Sequence, residues 1–256
     1  MLPDTQSSGE TSGLKIQQAG ISGLILPGSI IDTDGYVTQS NITWSLSASV
    51  PPGQKGTHMS RFISFAHEMS KTIKLIELPE SSHTLANLLD STDSQLIAAF
   101  TAFIEKTAPV SGLPGIIAFP CTYQAKNQAG KVTLTQTVSI PATSLCPCSK
   151  AISEYGAHNQ RAEVIIRNTG PALPAINKLL EIAENEVSSP IYSLLKRSDE
   201  KYVTERAYET ALFVEDIARN VYSSLKDSFP SLETEVTVIS YESIHNHEAW
   251  ARIGPE

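Results

Sequence analysis

TLANLLDSTDSQLIAAFTAFIEKT, residues 84–107, is the stretch on which the fold turns. Leu85, Leu88 and Leu89, then Leu96, Ala99, Phe100 and Phe103, recur at three- and four-residue spacing, which predicts a helix. Pro109 and Gly112 end it. Upstream, NITWSLSASV (residues 41–50) places Ile42, Trp44, Leu46, Ala48 and Val50 at alternate positions, the period of a half-buried strand. Pro51, Pro52 and Gly53 make a turn, and THMSRFISF (residues 57–65) reads as the returning strand. A short helix is expected near residues 70–78.

Downstream of the helix, GIIAFPCTYQAK and KVTLTQTVSI read as two strands joined by a turn at residues 127–130. The second half has the same order. RAEVIIRN is a strand, and PALPAINKLLEIAENEV is a helix with Pro171 and Pro174 near its start. VTERAYETALFVEDIARNVYSSLKDSF reads as one longer helix, opened by Thr204 and stopped before Pro230. ETEVTVISYES is a strand, and HEAWARI is a candidate for one more. The chain therefore reads as strand–strand–helix–helix–strand–strand, roughly twice, in pattern rather than in residue identity.

A chain of 256 residues suits one large domain or two small ones, and 41% hydrophobic residues allow a real core. The formal net charge of -8 opposes wrapping of duplex nucleic acid, while local clusters of Lys and Arg still permit a small anionic ligand. Three cysteines, Cys121, Cys146 and Cys148, cannot make a disulfide framework, which points to a reducing compartment. Residues 1–18 lack the basic-then-apolar pattern of a secretory signal and read as a polar, mobile leader. No apolar run approaches the ~18–20 residues that span a bilayer. The expectation is a soluble cytoplasmic protein with neither nucleic-acid nor membrane partners.

Chemistry concentrates in SLCPCSKAISEYGAHNQR, residues 144–161. Cys146 and Cys148 alone are compatible with small packing residues or with a metal clip. His158 follows them, and His245 and His247 form an HxH pair further on. A thiolate with imidazoles and a carboxylate is a usual ligand set for a catalytic transition metal, and ligands drawn from distant segments leave a position open for water. His67 and His83 sit in ordinary polar surroundings. KGTHMSRF offers Lys55, Thr57, Ser60 and Arg61, donors suited to phosphate oxygens, at a spacing unlike a Walker motif. Lys150 and Arg161 flank the cysteine–histidine segment, and Lys196 and Arg197 lie near Glu200. Glu215, in LFVEDIAR, is either a solvated carboxylate or an acceptor for two N–H groups of a base edge. Cys121 reads as a packing residue.

Taken together, KGTHMSRF, SLCPCSKAISEYGAHNQR, LLKRSDEKYVTERAYE, FVEDIAR and ESIHNHEAWAR closely resemble the type IB GTP cyclohydrolase I enzymes. AGISGLILP, from Ala19, is similar to that family's N-terminal segment. The match covers most of the chain in order; the departures lie in loops and the first helix.

The resemblance implies an α+β chain with a tandem, bimodular tunnelling fold. Antiparallel sheets carry helices packed on one face, with units at residues 19–141 and 142–256, and copies assemble into an oligomeric barrel, a homotetramer. It implies conversion of GTP and water to 7,8-dihydroneopterin triphosphate and formate, the first step of tetrahydrofolate biosynthesis. Cys146, His158, Glu200 and His245 match the family's metal-site residues, for one divalent Zn, Mn or Fe per site. Glu215 matches the purine anchor. His247 is the candidate proton donor, with His245 as the alternative. Lys55, Thr57, Ser60, Arg61 and Arg161 would hold the triphosphate. Rival readings are an archaeal-type Fe(II) cyclohydrolase giving a cyclic phosphate, a tunnelling-fold nitrile reductase using NADPH, and a non-catalytic metal-stapled pterin-binding module.

Overall fold

The computed structural model describes residue 9 and residues 12–255. Most of the expected leader, residues 1–8, 10 and 11, lies outside them. Gly9 bridges to Gln54, and Ile16 already begins the first strand. The chain forms two compact units. The first comprises Met1–Thr101, Thr122–Gln136 and Gly170–Leu173, and the second Ala102–Cys121, Thr137–Thr169 and Pro174–Glu256.

The elements are β1 (Ile16–Ile31), β2 (Val37–Val50), α1 (Met59–Lys71), β3 (Ile73–Lys74), a 3-10 turn (Leu75–Glu77), α2 (Leu78–Leu88), β4 (Asp93–Thr107), β5 (Pro114–Gln128) and β6 (Lys131–Leu145). There follow α3 (Pro147–Ile152), β7 (Asn159–Gly170), α4 (Ile176–Asn185), β8 (Ser189–Pro190), α5 (Arg197–Glu209), α6 (Val214–Ser228), β9 (Glu233–Ser240) and β10 (Ala249–Ile253). Strand pairing runs β10-β9-β7-β6-β5-β4-β2-β1-β3, with β8 on β6. β1 and β2, β2 and β4, β6 and β8, β7 and β9, and β9 and β10 pair antiparallel, and the two-residue β3 pairs parallel to β1.

In the first unit, Ile42, Trp44, Leu46, Ala48 and Val50 of β2 are buried, as their alternation predicts. The Trp44 indole N–H donates to Ser70 Oγ at 2.8 Å, and Ser70 donates to the Ala66 carbonyl of the same helix. That bond removes the cost of a buried indole donor and ties α1 to β2. In β1 the register with β2 slips between Ser22 and Leu24, and Gly23, at φ 74°, supplies the left-handed residue this bulge uses. In the second unit, Ile217, Ala218, Val221 and Leu225 form the buried stripe of α6 against β9 and β10, where Val236 and Val238 are fully buried.

Four expectations fail here. Residues 84–107 are not one helix. α2 stops at Leu88, Asp90 takes φ 51°, and β4 follows. Ser94, Leu96, Ala98, Phe100, Ala102 and Ile104 are buried in strict alternation, and β4 is zipped to β2 from Ala48↔Ser94 to Thr43↔Ala99. Dense alanine, leucine and phenylalanine fit both periods, and strand pairing settles the matter. Residues 59–65 belong to α1 rather than a returning strand, because Phe62, Phe65 and Ala66 bury one helical face. Residues 70–78 hold the end of α1, β3 and the 3-10 turn instead of a separate helix. The long helix from Thr204 is two helices, α5 and α6. The break at residues 210–213 is pinned by the Leu212 N–H, which donates to the Leu145 carbonyl. Leaving aside α3, α5 and the two-residue strands, the order ββααββ still occurs twice. Among the described residues no helix is long and apolar enough to cross a membrane.

Candidate active site

β6 delivers the chain to Cys146, which caps α3 with Pro147 at the first helical position, where a missing N–H costs nothing. Cys146 Sγ accepts the Ser149 N–H at 3.4 Å. The Cys146 N–H donates to the His158 carbonyl at 3.2 Å, and the His158 N–H donates to Ser149 Oγ at 3.2 Å. Ser149 Oγ in turn donates to the Cys146 carbonyl at 3.2 Å. Cys146 and His158 are thus held side by side by their own backbones, with one serine as the tie. Cys146 is half-buried and Cys148 is exposed.

His158 Nδ1 lies 2.9 Å from Gln160 Oε1. Residues i and i+2 of an extended chain share a face, so the strand start itself brings them together. Gln160 is buried, and its amide nitrogen donates to Ser144 Oγ at 3.0 Å and faces Glu242 Oε1 at 3.5 Å. Ser144 also meets Ser240 Oγ at 3.0 Å. This polar cluster is built by the pairing of β7 with β9.

Cys146, His158, Gln160, Phe213, Glu215, Glu242, His245 and His247 line one cavity of about 300 Å³, all within the second unit. Glu215 is exposed in the first turn of α6, where the positive end of the helix favours a carboxylate. His245 and His247 lie exposed on the loop between β9 and β10, with their rings stacked at 5.0 Å between centroids. Among the described residues no three His, Cys, Asp or Glu side chains stand ready as a cluster to hold an ion. The donor chemistry nonetheless fits a transition metal: a thiol and an imidazole are held by one backbone network, and two further imidazoles and two carboxylates line the same cavity.

The other candidates lie elsewhere. Glu200 is exposed on α5 and does not line the cavity. Its neighbour Asp199 is fully buried and accepts the N–H groups of Val110, Ser111 and Lys196, each at 2.8 Å, and the Ser111 hydroxyl at 2.7 Å. Burial pushes the Asp199 carboxyl up, but these donors outweigh it and hold the group well below the usual carboxylate range. Arg161, one residue from Gln160, is on the opposite face of β7; it lines the hollow with Glu163 and Tyr241 and another with Tyr192 and Thr204. Lys55, Thr57, Ser60 and Arg61 belong to the first unit. Arg61 there donates to the Leu88 carbonyl at 2.8 Å and contacts Asp90 at 3.5 Å. Gln160, Glu242 and Phe213 were not singled out from the sequence. Glu242 was detectable as a carboxylate beside the HxH pair; Gln160 carries no signal until β7 and β9 are paired.

Comparison with known proteins now bears on this geometry. The family model described as type I GTP cyclohydrolase folE2 matches residues 2–251. The chain belongs to that family. GTP cyclohydrolase FolE2 of Bordetella avium (strain 197N) is 40% identical over 253 residues, 98% of this chain and 95% of that protein. GTP cyclohydrolase FolE2 1 of Dechloromonas aromatica (strain RCB) is 39% identical over the same shares. A crystal structure of uricase from Arthrobacter globiformis superposes over 94% of both chains with a TM-score of 0.49 at 10% identity, too little to bear on fold or function. In this FolE2 family chain, the CPCS…GAHNQR block is the segment in which β6, α3 and β7 place a thiol and an imidazole in one cavity.

Proposed function

We propose that this chain is a metal-dependent GTP cyclohydrolase I, converting GTP and water to 7,8-dihydroneopterin triphosphate and formate at the head of folate biosynthesis. The observation that carries the reading is the pairing of Cys146 with His158 in the cavity that also holds Glu215, within a FolE2 family chain. Cys146, His158 and His245 would hold one divalent Zn, Mn or Fe ion, and Glu200 on α5, which does not line this cavity, would join them from a neighbouring copy of the chain. When bound, that ion supplies hydroxide near neutral pH for attack on C8 of guanine.

The chain's own residues bind and orient the purine and move its protons. The Glu215 carboxylate accepts two N–H groups of the guanine edge, and the exposed Phe213 ring beside it offers a surface for the base. His247 delivers a proton to the imidazole nitrogen as the ring opens, with His245 as the alternative donor if it is not a ligand. Lys55, Thr57, Ser60, Arg61 and Arg161 do not line this cavity, so they would hold the triphosphate from a neighbouring copy of the chain, at a site shared between subunits, and there offset its charge.

The assembly belongs to the same proposal: a cytoplasmic homotetramer in which two tunnelling-fold units per chain, residues 19–141 and 142–256, join into a barrel. β10 supports it, since this last strand of the pairing order leaves Trp250 67% exposed, and an open edge takes a further strand. The test is incubation of the purified protein with GTP and Zn, Mn or Fe(II) in turn, following formate and the fluorescence of the oxidised pterin. Both products should appear with at least one metal. Absence of formate with every metal overturns the reading, and formate with a cyclic phosphate product by mass favours the archaeal-type reaction.

A further inference from the structure

We propose that Gln160 is a positioning residue that locks His158 in the tautomer with hydrogen on Nδ1. A glutamine amide presents an acceptor at one end and donors at the other, and its neighbours decide which way it lies. Here the deciding neighbour is Glu242. An ionised carboxylate only accepts, so the Gln160 amide nitrogen is the end that faces Glu242 Oε1 at 3.5 Å. The same nitrogen donates to Ser144 Oγ at 3.0 Å, and Ser243 Oγ donates to Gln160 Oε1 at 3.4 Å. The reversed amide would set its oxygen against the Glu242 carboxylate in a half-buried contact, where two facing acceptors repel.

With the amide so fixed, Oε1 meets His158 Nδ1 at 2.9 Å. Two acceptors cannot share that contact, so Nδ1 carries the hydrogen and Nε2 presents a bare lone pair. Glu242, Gln160 and His158 form a chain in which a carboxylate sets an amide and the amide sets an imidazole. A histidine that ligates a metal is ordinarily fixed in this way, through its other ring nitrogen, by a carboxylate, a carbonyl or water. The geometry assigns that role to a glutamine side chain two residues along the same strand. What the freed Nε2 is used for rests on the cyclohydrolase reading; the tautomer does not.

The test reads the tautomer directly. Long-range ¹⁵N–¹H spectra of the metal-free protein should show neutral His158 carrying its hydrogen on Nδ1, its signals assigned by their loss in His158→Gln. Protonation on Nε2 in the wild type overturns the proposal before any Gln160 variant is made. Gln160→Met, close in volume and lacking the strong acceptor, should give a mixture of tautomers; retention of the pure Nδ1–H form overturns the proposal. Zinc affinity, measured by competition with a chromophoric chelator, should fall about 10–100-fold in Gln160→Met; undiminished affinity overturns the link to metal holding. Failure of the cyclohydrolase reading would appear separately, as no formate from the wild type, and would leave the wild-type tautomer unchanged.

Discussion

Cys146 and His158 share the second unit's cavity with His245 and His247, and the two pairs are held differently. The first pair is bound backbone to backbone, tied by Ser149, and backed by the Gln160 cluster. The second pair sits exposed on the loop between β9 and β10, its rings stacked on each other. Such a division suits a site in which one wall is preorganised and the other adjusts to its ligand. It also orders the expected consequences of mutation, since the first pair is held by backbone hydrogen bonds and the second lies on an exposed loop.

The largest effect is therefore expected from Cys146→Ala. Loss of a partner that merely orients a ligand costs about 10–100-fold, so removal of the thiol itself should cut formate release by more than ~100-fold. Size-exclusion chromatography should show the same oligomer as the wild type, because the Cys146 contacts to His158 and Ser149 that hold the loop run mainly through backbone atoms. Normal turnover in this variant would remove Cys146 from the reaction and leave the exposed Cys148 as the thiol to test.

Glu215→Gln probes the more open part of the same cavity and should act on one part of the substrate. Hydrogen bonds to a charged group contribute ~1.5–3 kcal/mol, so GTP should bind about 10–100-fold more weakly while inorganic triphosphate is unaffected. Equal weakening of both, measured by calorimetry on the metal-loaded protein, would argue that Glu215 shapes the site as a whole.

The difference between the fixed and the adjustable side also marks what the sequence discloses. Alternation in residues 41–50 and 233–240 announces β2 and β9, because one face of each is buried and the other is not. The apolar spacing in residues 176–185 announces α4 for the same reason. Residues 96–104 mislead because Leu96, Ala98, Ala99, Phe100, Ala102, Phe103 and Ile104 satisfy both periods at once; only pairing with β2 selects the strand. In the site, cysteine and histidine stand out by their chemistry. Gln160 and Ser144 do not, since a buried amide acquires its role from Glu242, 82 residues away. Whatever local sequence positions is legible early. Whatever the sheet assembles waits for the register.

The last and smallest effect concerns how Glu200 is carried. It has no local tie of the kind that joins Cys146 to His158; its helix α5 is instead anchored by Asp199, which gathers the amides of Val110, Ser111 and Lys196. Because the folded protein holds this carboxyl below its ordinary value, the stability it contributes is fully present above about pH 4 and is lost as the pH falls further toward the folded value. Asp199→Asn keeps the volume and one acceptor but loses the charge. Its melting temperature should lie below the wild type's at pH 7, and the gap should narrow steadily below about pH 4 as the carboxyl of the unfolded wild-type chain takes up a proton that the folded one does not. A gap that stays constant across that range would show that the anchor works by shape rather than charge. If Glu200 serves the metal, the same variant at pH 7 should weaken zinc binding less than Cys146→Ala does, because a loosened helix still carries its carboxylate whereas the thiol is gone.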